Sequence, residues 1–258
     1  MSFKDIGAIF YSYAYIAFIG LISIVMFPAA SIIRLITFPF DTRRVCNNLF
    51  SSFWASLYIW LMPLCTVKIK NRQKLDMKKS YVFVSNHQSQ LDILVIYRLY
   101  FPVRWISKTA VFKLPFIGWN MLLNGDVKLK RGDQQSIQLM IERCEQLLEQ
   151  NVSIMVFPEG TRSKTGIVQH FKPGAFILAK KMKKPIVPLV INNSKNALPK
   201  YSLIFRGRHK IELAVLDEIP YSRFEHMEID DIAQMVQKII SSHVNEHILL
   251  ENKNICQN

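Results

Sequence analysis

The apolar residues of the chain are concentrated towards its amino-terminal end. Asp, Glu, Lys and Arg are missing from residues 6–33 and again from residues 45–67, whereas charged residues are spread through the rest of the sequence. Because about 20 apolar residues are enough for a helix to cross a bilayer, residues 6–27 are predicted to form a membrane helix that ends or kinks at Pro28. Residues 48–64 mix Asn and Ser with aromatic side chains, a pattern that predicts an interfacial or re-entrant helix.

Beyond these segments, short strand-like runs alternate with helical periodicity. Strands are predicted at residues 81–85, 103–107, 127–129, 152–157, 186–191, 202–205 and 210–216, and helices at 91–100, 134–148, 175–182 and 229–250. This alternation predicts an α/β fold, a mixed sheet flanked by helices. The simplest partition is a membrane-embedded helical pair in residues 1–67 and one α/β domain in residues 68–258.

The charge of the chain is strongly positive. Lys and Arg outnumber Asp and Glu by 33 to 19, which gives a net charge of +14. Such an excess favours polyanionic partners: nucleic acid, an anionic bilayer or an acidic protein. Nucleic acid is the least favoured, because no zinc-finger spacing, RNP-like aromatic motif or contiguous basic helix accompanies the charge. Beside the apolar segments, the charge favours anionic membrane lipid, from which each basic residue gains about 1 kcal/mol.

The basic residues also predict how the amino-terminal segments meet the membrane. One group lies between the two segments (Arg34, Arg43, Arg44), and another follows the second (Lys68, Lys70, Arg72, Lys74). Two full spans would place one group outside, against the positive-inside tendency. Two helices that dip into one leaflet, which we prefer, or one span plus an interfacial helix, keep both groups cytoplasmic. The weakly basic start and long apolar run disfavour a signal peptide, so we expect an uncleaved anchor, with the active site at the cytoplasmic face of the cell (inner) membrane.

The most informative polar stretch is Asn-His-Gln-Ser-Gln-Leu-Asp at residues 86–92, directly after a predicted strand. On a regular helix, His87 and Asp92 would lie about 140° apart and could not meet. They can meet if His87 lies in a loop and Asp92 in the first helical turn, and Ser89-x-x-Asp92 supports that break because it has the form of a capping box. Asp92 would then accept from one imidazole nitrogen and leave the other as a base towards a substrate hydroxyl. The alternative is that Asp92 only caps its helix.

Two further stretches carry polar residues at the ends of strands. Phe-Pro-Glu-Gly-Thr-Arg-Ser at residues 157–163 has the composition of an anion receptor, because backbone N–H groups point outward and the Arg162 guanidinium can grip phosphate with two hydrogen bonds. Its alternative is a turn with an exposed Arg. Residues 125–131, from Gly125 to Arg131, form a short strand that ends in basic residues. Here the alternative is a solvated strand edge, which Lys commonly protects.

In their order along the chain, these stretches resemble a known family. An Asn-His-x4-Asp motif, a Gly-x5-Arg segment, Phe-Pro-Glu-Gly-Thr-Arg-Ser and a later Val187-Pro188 strand look like the four blocks of the glycerolipid acyltransferases, in particular the 1-acylglycerol-3-phosphate (lysophosphatidic acid) O-acyltransferase family. Residues 107–119 and 171–176 add to the similarity, which covers residues 80 to 191 or thereabouts. The amino-terminal helix pair resembles that of bacterial members.

The resemblance implies a role for each matching residue. His87 would be the general base, and Asp92 its orienting partner. The glycerol phosphate would be bound by the third block, by the basic end of the second and by one further candidate (Glu159, Gly160, Thr161, Arg162; Arg131; Lys108). In the second block, Lys128 and Lys130 replace an expected aromatic and a usually acidic or polar residue. This departure bears on the identity of the acceptor rather than on the type of reaction.

The reaction that the resemblance implies is acyl transfer. A fatty acyl group would pass from the thioester of acyl carrier protein or coenzyme A to the sn-2 hydroxyl of 1-acylglycerol 3-phosphate, forming phosphatidic acid. Because His87 would activate the acceptor hydroxyl directly, no cofactor, metal or enzyme nucleophile is expected. The expected partners are lysophosphatidic acid, an anionic bilayer and the thioester carrier, and not nucleic acid. The alternatives are an acyltransferase for glycerol 3-phosphate or another lysolipid, and a non-catalytic lipid-binding protein of the same kind.

Overall fold

Within the part of the chain that the structure describes, seven strands form one sheet. The structure, a computed structural model, describes the backbone of residues 3–205 and 207–255 and the side chains of residues 6–205 and 207–244. The strands are β1 (Cys65–Lys70), β2 (Val82–Ser85), β3 (Val103–Lys108), β4 (Val127–Leu129), β5 (Ser153–Val156), β6 (Ile186–Asn192) and β7 (His209–Val215). They lie side by side in the order β1-β7-β6-β2-β5-β3-β4.

Helices precede, connect and follow these strands. They are α1 (Phe3–Thr37), α2 (Val45–Trp60), α3 (Leu91–Tyr97), α4 (Ile117–Asn124), α5 (Gln134–Glu149), α6 (Gly174–Lys181), α7 (Ser194–Ala197) and α8 (Ile229–Ile255). Short 3-10 turns lie at Arg72–Lys74, Val111–Lys113 and Tyr221–Arg223. The predicted mixed α/β architecture is confirmed.

Five of the strands end at the same edge of the sheet. Neighbouring strands run parallel everywhere except between β6 and β7. The carboxyl ends of β6, β2, β5, β3 and β4 therefore point the same way. The loops with the predicted chemistry follow β2, β3, β4 and β5, so the topology brings them all to this edge. In parallel α/β sheets, this is the edge at which ligands bind.

The sheet is covered on both faces. Alternate residues of a strand point to opposite faces: Val82 and Val84 belong to a core that includes residues of α5, α6 and α8, whereas Phe83 belongs to a second core that includes residues of α3 and Tyr15 of α1. All four residues of β2 are buried. A strand buried on both faces gives a continuous apolar run rather than an alternating one, as the sequence before His87 shows.

The first helix is longer than predicted, because it continues through Pro28 to Thr37. Of the two outcomes predicted at Pro28, an end of the helix is therefore wrong, and a kink stays a prediction. Proline removes one main-chain donor, but tertiary contacts hold the helix on both sides of it: Phe27 packs against Trp119 with ring centroids 5.4 Å apart, and Ala30 is fully buried. By length and composition, Ile6–Thr37 could cross a membrane, since an 18-residue stretch within it has a mean hydropathy of 2.5.

One side of α1 is docked on the rest of the protein. Ser12 Oγ accepts a hydrogen bond from the backbone N–H of Phe205 at 2.9 Å, and the hydroxyls of Ser23 and Tyr58 lie 2.8 Å apart. The other side is apolar and exposed, with Phe10 at 77% and Leu35 at 76% of their full accessibility. Removal of this exposed side from water would be favourable, as a membrane anchor requires.

The second helix turns its polar residues inward, a direction that the composition of residues 48–64 did not predict; its interfacial or re-entrant position stays a prediction. The inward-facing set is buried (Asn47, Asn48, Ser51, Ser52, Ser56). The amide of Asn47 donates to Asn124 Oδ1 at 2.7 Å, and the amide of Asn48 donates to the carbonyl of Val103 at 2.8 Å. Phe53 and Trp60 are exposed instead. Polar residues on α2 therefore bind it to α4 and β3, which leaves an apolar outer surface.

Two parts of the sequence-based assignment differ from the structure near the sheet edges. Residues 202–205 do not form the predicted strand, because Phe205 packs on Tyr15 of α1 at 5.5 Å and its N–H is taken by Ser12. The edge strand β1 was missed, because it begins inside the apolar segment. The predicted domain boundary after residue 67 falls within β1, which pairs with β7 from Cys65 onward.

The basic cluster after the second apolar segment is partly neutralised. Lys70 pairs with Glu212 at 2.7 Å, and Lys74 pairs with Asp217 at 2.7 Å. The guanidinium of Arg72 donates to the carbonyl of Leu99 at 2.6 Å. Three of the four cations predicted to face anionic lipid thus have partners within the protein.

Candidate active site

His87 and Asp92 meet as predicted. His87 lies in the loop after β2, and Asp92 is in the first turn of α3. Nδ1 of His87 lies 2.8 Å from Oδ2 of Asp92, whose carboxylate is fully buried, while the imidazole keeps 15% of its accessibility. The pairing occupies Nδ1 and leaves Nε2 as the imidazole nitrogen available to a substrate. This is the arrangement of a general base and its orienting carboxylate.

Asp92 also contacts the backbone at the start of its own helix, so the contacts expected for both alternatives are present together. Oδ2 accepts the backbone N–H groups of Gln88 at 2.7 Å and Ser89 at 2.9 Å. The hydroxyl of Ser89 caps the helix from the other side, because it accepts the backbone N–H of Leu91 at 3.3 Å while it donates to the carbonyl of Leu198 at 2.7 Å. Three nitrogen atoms, Nδ1 of His87 and the backbone nitrogens of Gln88 and Ser89, converge on one oxygen of Asp92 and fix its position.

The loop around His87 is held by neighbours that the sequence did not single out. The side chain of Asn86 forms two hydrogen bonds with the backbone of Ile191 on β6, at 2.8 and 2.9 Å. The imidazole of His87 stacks on the ring of Phe157, with centroids 4.0 Å apart and an angle of 13° between the planes. Asn86 directly precedes His87, and Phe157 lies two residues before Glu159. Their places in these two motifs were the sequence signal that could have identified them.

Glu159 has a position that differs from its predicted role in phosphate binding. Its side chain is buried, with 4% of its accessibility left. Oε1 accepts the backbone N–H of His87 at 2.7 Å, and Oε2 accepts that of Gln169 at 3.1 Å. Burial raises the pKa of Glu159 to about 7, although these two hydrogen bonds act in the opposite direction. A buried carboxylate is unsuited to an anionic ligand, so the geometry assigns Glu159 to holding the His87 loop.

The remaining residues of the third block, or third motif, form an open turn beside the His87 loop. This anion-receptor turn consists of residues 160–163. Gly160 has a φ of +66°, and a Cβ there would lie 3.2 Å from Cε of Lys172, so the turn favours glycine. Thr161 and Arg162 are half-buried. Within the described residues, the guanidinium of Arg162 forms no hydrogen bond or ion pair. Its fork of donors is therefore open to a ligand, on a turn in which the next residue, Ser163, contacts the backbone of His87.

The turn is joined directly to the first motif. The backbone N–H of Ser163 donates to the carbonyl of His87 at 2.7 Å. Ser163 is itself fixed, because its hydroxyl donates to the carbonyl of Ile167 at 2.8 Å and accepts the N–H of Gly166 at 3.0 Å. The base and the anion-receptor turn therefore belong to one hydrogen-bonded unit.

The other two predicted phosphate ligands lie farther along the same edge. Lys108 ends β3 and is exposed, and Arg131 follows β4 and is also exposed. At about 4.8 Å per strand, β4 lies about 14 Å from β2. In strand order, β3 is the neighbour of β5 and β4 lies beyond it. Lys108 at the end of β3 is therefore nearer than Arg131 to the turn that follows β5. Both side chains remain predicted ligands.

Lys128 and Lys130, which depart from the family pattern, have partners within the protein. The ammonium of Lys128 lies 5.5 Å from the ring centroid of Phe112. Lys130 forms an ion pair with Asp133 at 2.9 Å, next to the start of α5. These two cations thus serve the local structure around β4.

Comparisons with known proteins agree with this geometry. The Acyltransferase family matches residues 66–192. The chain is 39% identical over 158 residues to the chloroplastic 1-acyl-sn-glycerol-3-phosphate acyltransferase LPAT1 of Arabidopsis thaliana, covering 61% of this chain and 44% of that one. It is 38% identical over 152 residues to the 1-acyl-sn-glycerol-3-phosphate acyltransferase of Saccharomyces cerevisiae, covering 57% and 50%. The chain thus spans about half the length of these relatives.

A solved structure has the same fold. The 1-acyl-sn-glycerophosphate (LPA) acyltransferase PlsC of Thermotoga maritima superposes with a TM-score of 0.75 at 20% identity, covering 93% of this chain and 97% of the other. Because it covers 93% of this chain, the superposition leaves out fewer residues than α1 contains, so it extends into the amino-terminal helices as well as the sheet. Together with the matched motifs, these similarities show that residues 66–192 form an Acyltransferase family domain, similar to those of 1-acyl-sn-glycerol-3-phosphate acyltransferases.

Proposed function

We propose that the protein transfers a fatty acyl group from an acyl thioester to the sn-2 hydroxyl of 1-acylglycerol 3-phosphate, forming phosphatidic acid. The observation that carries this proposal is the joining of a His87–Asp92 pair to an unpaired Arg162 through the main-chain contact between Ser163 and His87. The pair can activate a hydroxyl, and the guanidinium can hold a phosphate a short distance away. An acceptor that carries both groups fits the two halves of the site.

The reaction needs two proton transfers and one exchange of bonds. Nε2 of His87 removes the proton of the acceptor hydroxyl as its oxygen attacks the thioester carbonyl. The new C–O bond forms, the C–S bond breaks, and the thiolate of the carrier leaves with the proton that His87 holds. The carboxylate of Asp92 stabilises the imidazolium between these steps and fixes the tautomer with Nδ1 protonated, as carboxylates do in Ser-His-Asp triads. The acceptor takes the place of an enzyme nucleophile.

The position of the site suits an acceptor that lies in a membrane. The hydroxyl of a lysophospholipid lies near the headgroups, and α1 and α2 expose apolar side chains that would hold the protein at that depth. Lys128 and Lys130 have partners within the protein, so they give no reason to prefer a more anionic headgroup. The donor is proposed to be the thioester of acyl carrier protein or coenzyme A, and the active site to lie at the cytoplasmic face.

The proposal is tested by a panel of acceptors against both donors. Purified protein in detergent micelles would be given 1-acylglycerol 3-phosphate, glycerol 3-phosphate or a lysophospholipid with a substituted phosphate. Thiol release reports the reaction, and mass spectrometry identifies the product. The His87→Ala variant, matched by His226→Ala at an exposed histidine, serves as the control for contaminating activity.

The expected result is thiol release that is fastest with 1-acylglycerol 3-phosphate and is lost in His87→Ala but not in His226→Ala. Faster reaction with glycerol 3-phosphate or another lysolipid would replace the proposed acceptor. No thiol release with any acceptor would favour the alternative of a non-catalytic lipid-binding protein.

A further inference from the structure

One lysine outside the recognised motifs contacts the anion-receptor turn. Lys200 follows α7 and lies beyond the region that the family matches, which ends at residue 192. Its ammonium donates to the hydroxyl of Thr161 at 3.0 Å and to the carbonyl of Arg162 at 2.7 Å. Lys200 thus binds the two residues of the turn that are expected to face an acceptor phosphate, and it does so without occupying the Arg162 guanidinium.

The segment that carries Lys200 also contacts the first motif. The carbonyl of Leu198 accepts the hydroxyl of Ser89 at 2.7 Å, and Ser89 donates its own N–H to Asp92. Leu198 is buried. The connection between β6 and β7 therefore touches both the turn that supplies the base and the turn that supplies the guanidinium, and Lys200 provides the second of these contacts.

The charge of Lys200 is not cancelled by a partner. Within the described residues, Lys200 forms no ion pair; besides its two hydrogen bonds, the ammonium lies 5.3 Å from the ring centroid of Tyr201. No Asp or Glu occurs from Gly160 to Ile211. The positive charge of Lys200 lowers the pKa of Glu159, against the larger effect of burial. An ammonium that keeps its charge forms charge-assisted hydrogen bonds, which hold the turn more strongly than neutral ones would.

We infer that Lys200 is a positioning residue for the acceptor phosphate: its hydrogen bonds to the hydroxyl of Thr161 and the carbonyl of Arg162 hold the turn in the conformation that presents the Arg162 guanidinium. The inference rests on the proposed function, because it requires a phosphate-bearing acceptor. It assigns Lys200 a role through Arg162 rather than a contact with the reacting atoms.

The first test compares kinetic constants of Lys200→Gln and Lys200→Met with those of the unaltered full chain. Charge-assisted hydrogen bonds contribute more than neutral ones, so we expect KM for 1-acylglycerol 3-phosphate to rise about tenfold while kcat changes less than about twofold. Lys200→Arg keeps the charge and the donors and should restore most of the affinity. Gln and Met are both close in size to the stem of lysine. Whichever of these two variants has the thermal unfolding midpoint of the unaltered protein is the one whose KM tests the inference.

Lys195 offers a matched control. Its ammonium donates to the carbonyl of Thr165 at 2.6 Å, so it ties the same β6–β7 connection to the same loop, at a point three residues beyond Arg162. Lys195→Gln removes a similar charge and a similar hydrogen bond, but not at the receptor turn. We expect its acceptor KM to match that of the unaltered protein. An equal rise in KM for Lys195→Gln and Lys200→Gln would overturn the inference, because general charge would then explain the effect.

The second test asks whether Lys200 acts through Arg162. If it does, adding Lys200→Gln to Arg162→Ala should raise KM little further, because the group being positioned is already missing. Additive effects, or an unchanged KM in folded Lys200→Gln, would overturn the inference. Failure of the proposed function is distinguishable from both outcomes, since the unaltered protein would then show no acyl transfer to a phosphate-bearing lysolipid.

Discussion

The backbone N–H of His87 donates a 2.7 Å hydrogen bond to Oε1 of Glu159. In the opposite direction, the carbonyl of His87 accepts the N–H of Ser163. The proposed base is therefore held on both sides of its own peptide units by the motif that follows β5. A change in the third motif would move the base, even where it touches no ligand.

This contact predicts how stability depends on pH. Because the pKa of Glu159 is raised from 4.5 to about 7, the folded state binds its proton more tightly than the unfolded state. The stability that this group contributes is present in acid and is lost as pH rises from about 4.5 to about 7. Glu159→Gln should remove this dependence, which amounts to about 3 kcal/mol at about 1.36 kcal/mol per pH unit. Denaturant unfolding in detergent across this range measures it.

The prediction concerns the slope of the free energy of unfolding against pH, and not its value at one pH. Gln donates where Glu accepts, so Glu159→Gln should also lose one backbone contact and some stability at every pH. Glu142→Gln changes an exposed carboxylate that accepts from Gln138, and its slope should match that of the unaltered protein. Equal slopes in all three proteins would show that Glu159 titrates as an exposed glutamate does.

A second prediction concerns Asp92. An Asn at this position can place its carbonyl oxygen where Oδ2 accepts from His87, Gln88 and Ser89, so the fold should persist. The negative charge that stabilises the imidazolium is lost, and we expect kcat to fall by about 10²–10⁴-fold, as for loss of a general base. Steady-state thiol release and a thermal midpoint measure the two effects.

Asp133→Asn is the matched control for that change. Asp133 also caps a helix, since its side chain accepts the N–H of Ser136, but it lies at the start of α5. We expect this variant to retain full activity. If Asp92→Asn did so as well, Asp92 would serve only as a cap, the alternative that the sequence left open.

Which features were predictable from the sequence depended on whether their partners lie close in the chain. The His87–Asp92 pair was predictable because five residues, a strand end and a helix start determine it. The Glu159 contact was not, because the motif pattern groups Glu159 with Gly160 and Arg162 as phosphate ligands, whereas its partner His87 is 72 residues away. The inward direction of Asn47 and Asn48 was not predictable for the same reason: their partners lie in α4 and β3, and composition alone cannot show which side of a helix is packed.

A third prediction concerns Arg162. Arg162→Ala should mainly raise KM for 1-acylglycerol 3-phosphate, because it removes a bidentate contact that acceptor and transition state share. Arg162→Lys should restore little, since a point charge does not replace a planar fork. Arg143→Ala, on the exposed side of α5 where Arg143 donates to Gln146, is the control. Unchanged KM in both Arg162 variants would place the phosphate elsewhere, with Lys108 and Arg131 as the remaining predicted ligands.

The last prediction concerns membrane attachment. The exposed side of α1 carries Leu21 at 64% and Val25 at 61% of their accessibility, on a helix whose other side is docked through Ser12, Tyr15 and Ser23. Burial of the apolar side is insensitive to salt, whereas basic contacts with anionic lipid weaken as ionic strength rises. We therefore expect the full chain to stay with membranes in high salt and to need detergent for release.

Point substitutions test this better than truncation. A chain that began at Lys68 would lose Cys65–Val67 of β1 together with α2, whose buried asparagines bind α4 and β3, so its failure would not separate attachment from folding. Leu21→Asp with Val25→Asp leaves the docked side intact but places two charges in the apolar layer, at about 2.5–3.5 kcal/mol each, and should shift the protein into the soluble fraction. Lys70→Gln with Lys74→Gln should leave it membrane-bound, because both lysines already pair with carboxylates of the protein. Release of the unaltered chain by salt alone, in soluble and active form, would show that charge and not α1 holds it at the membrane.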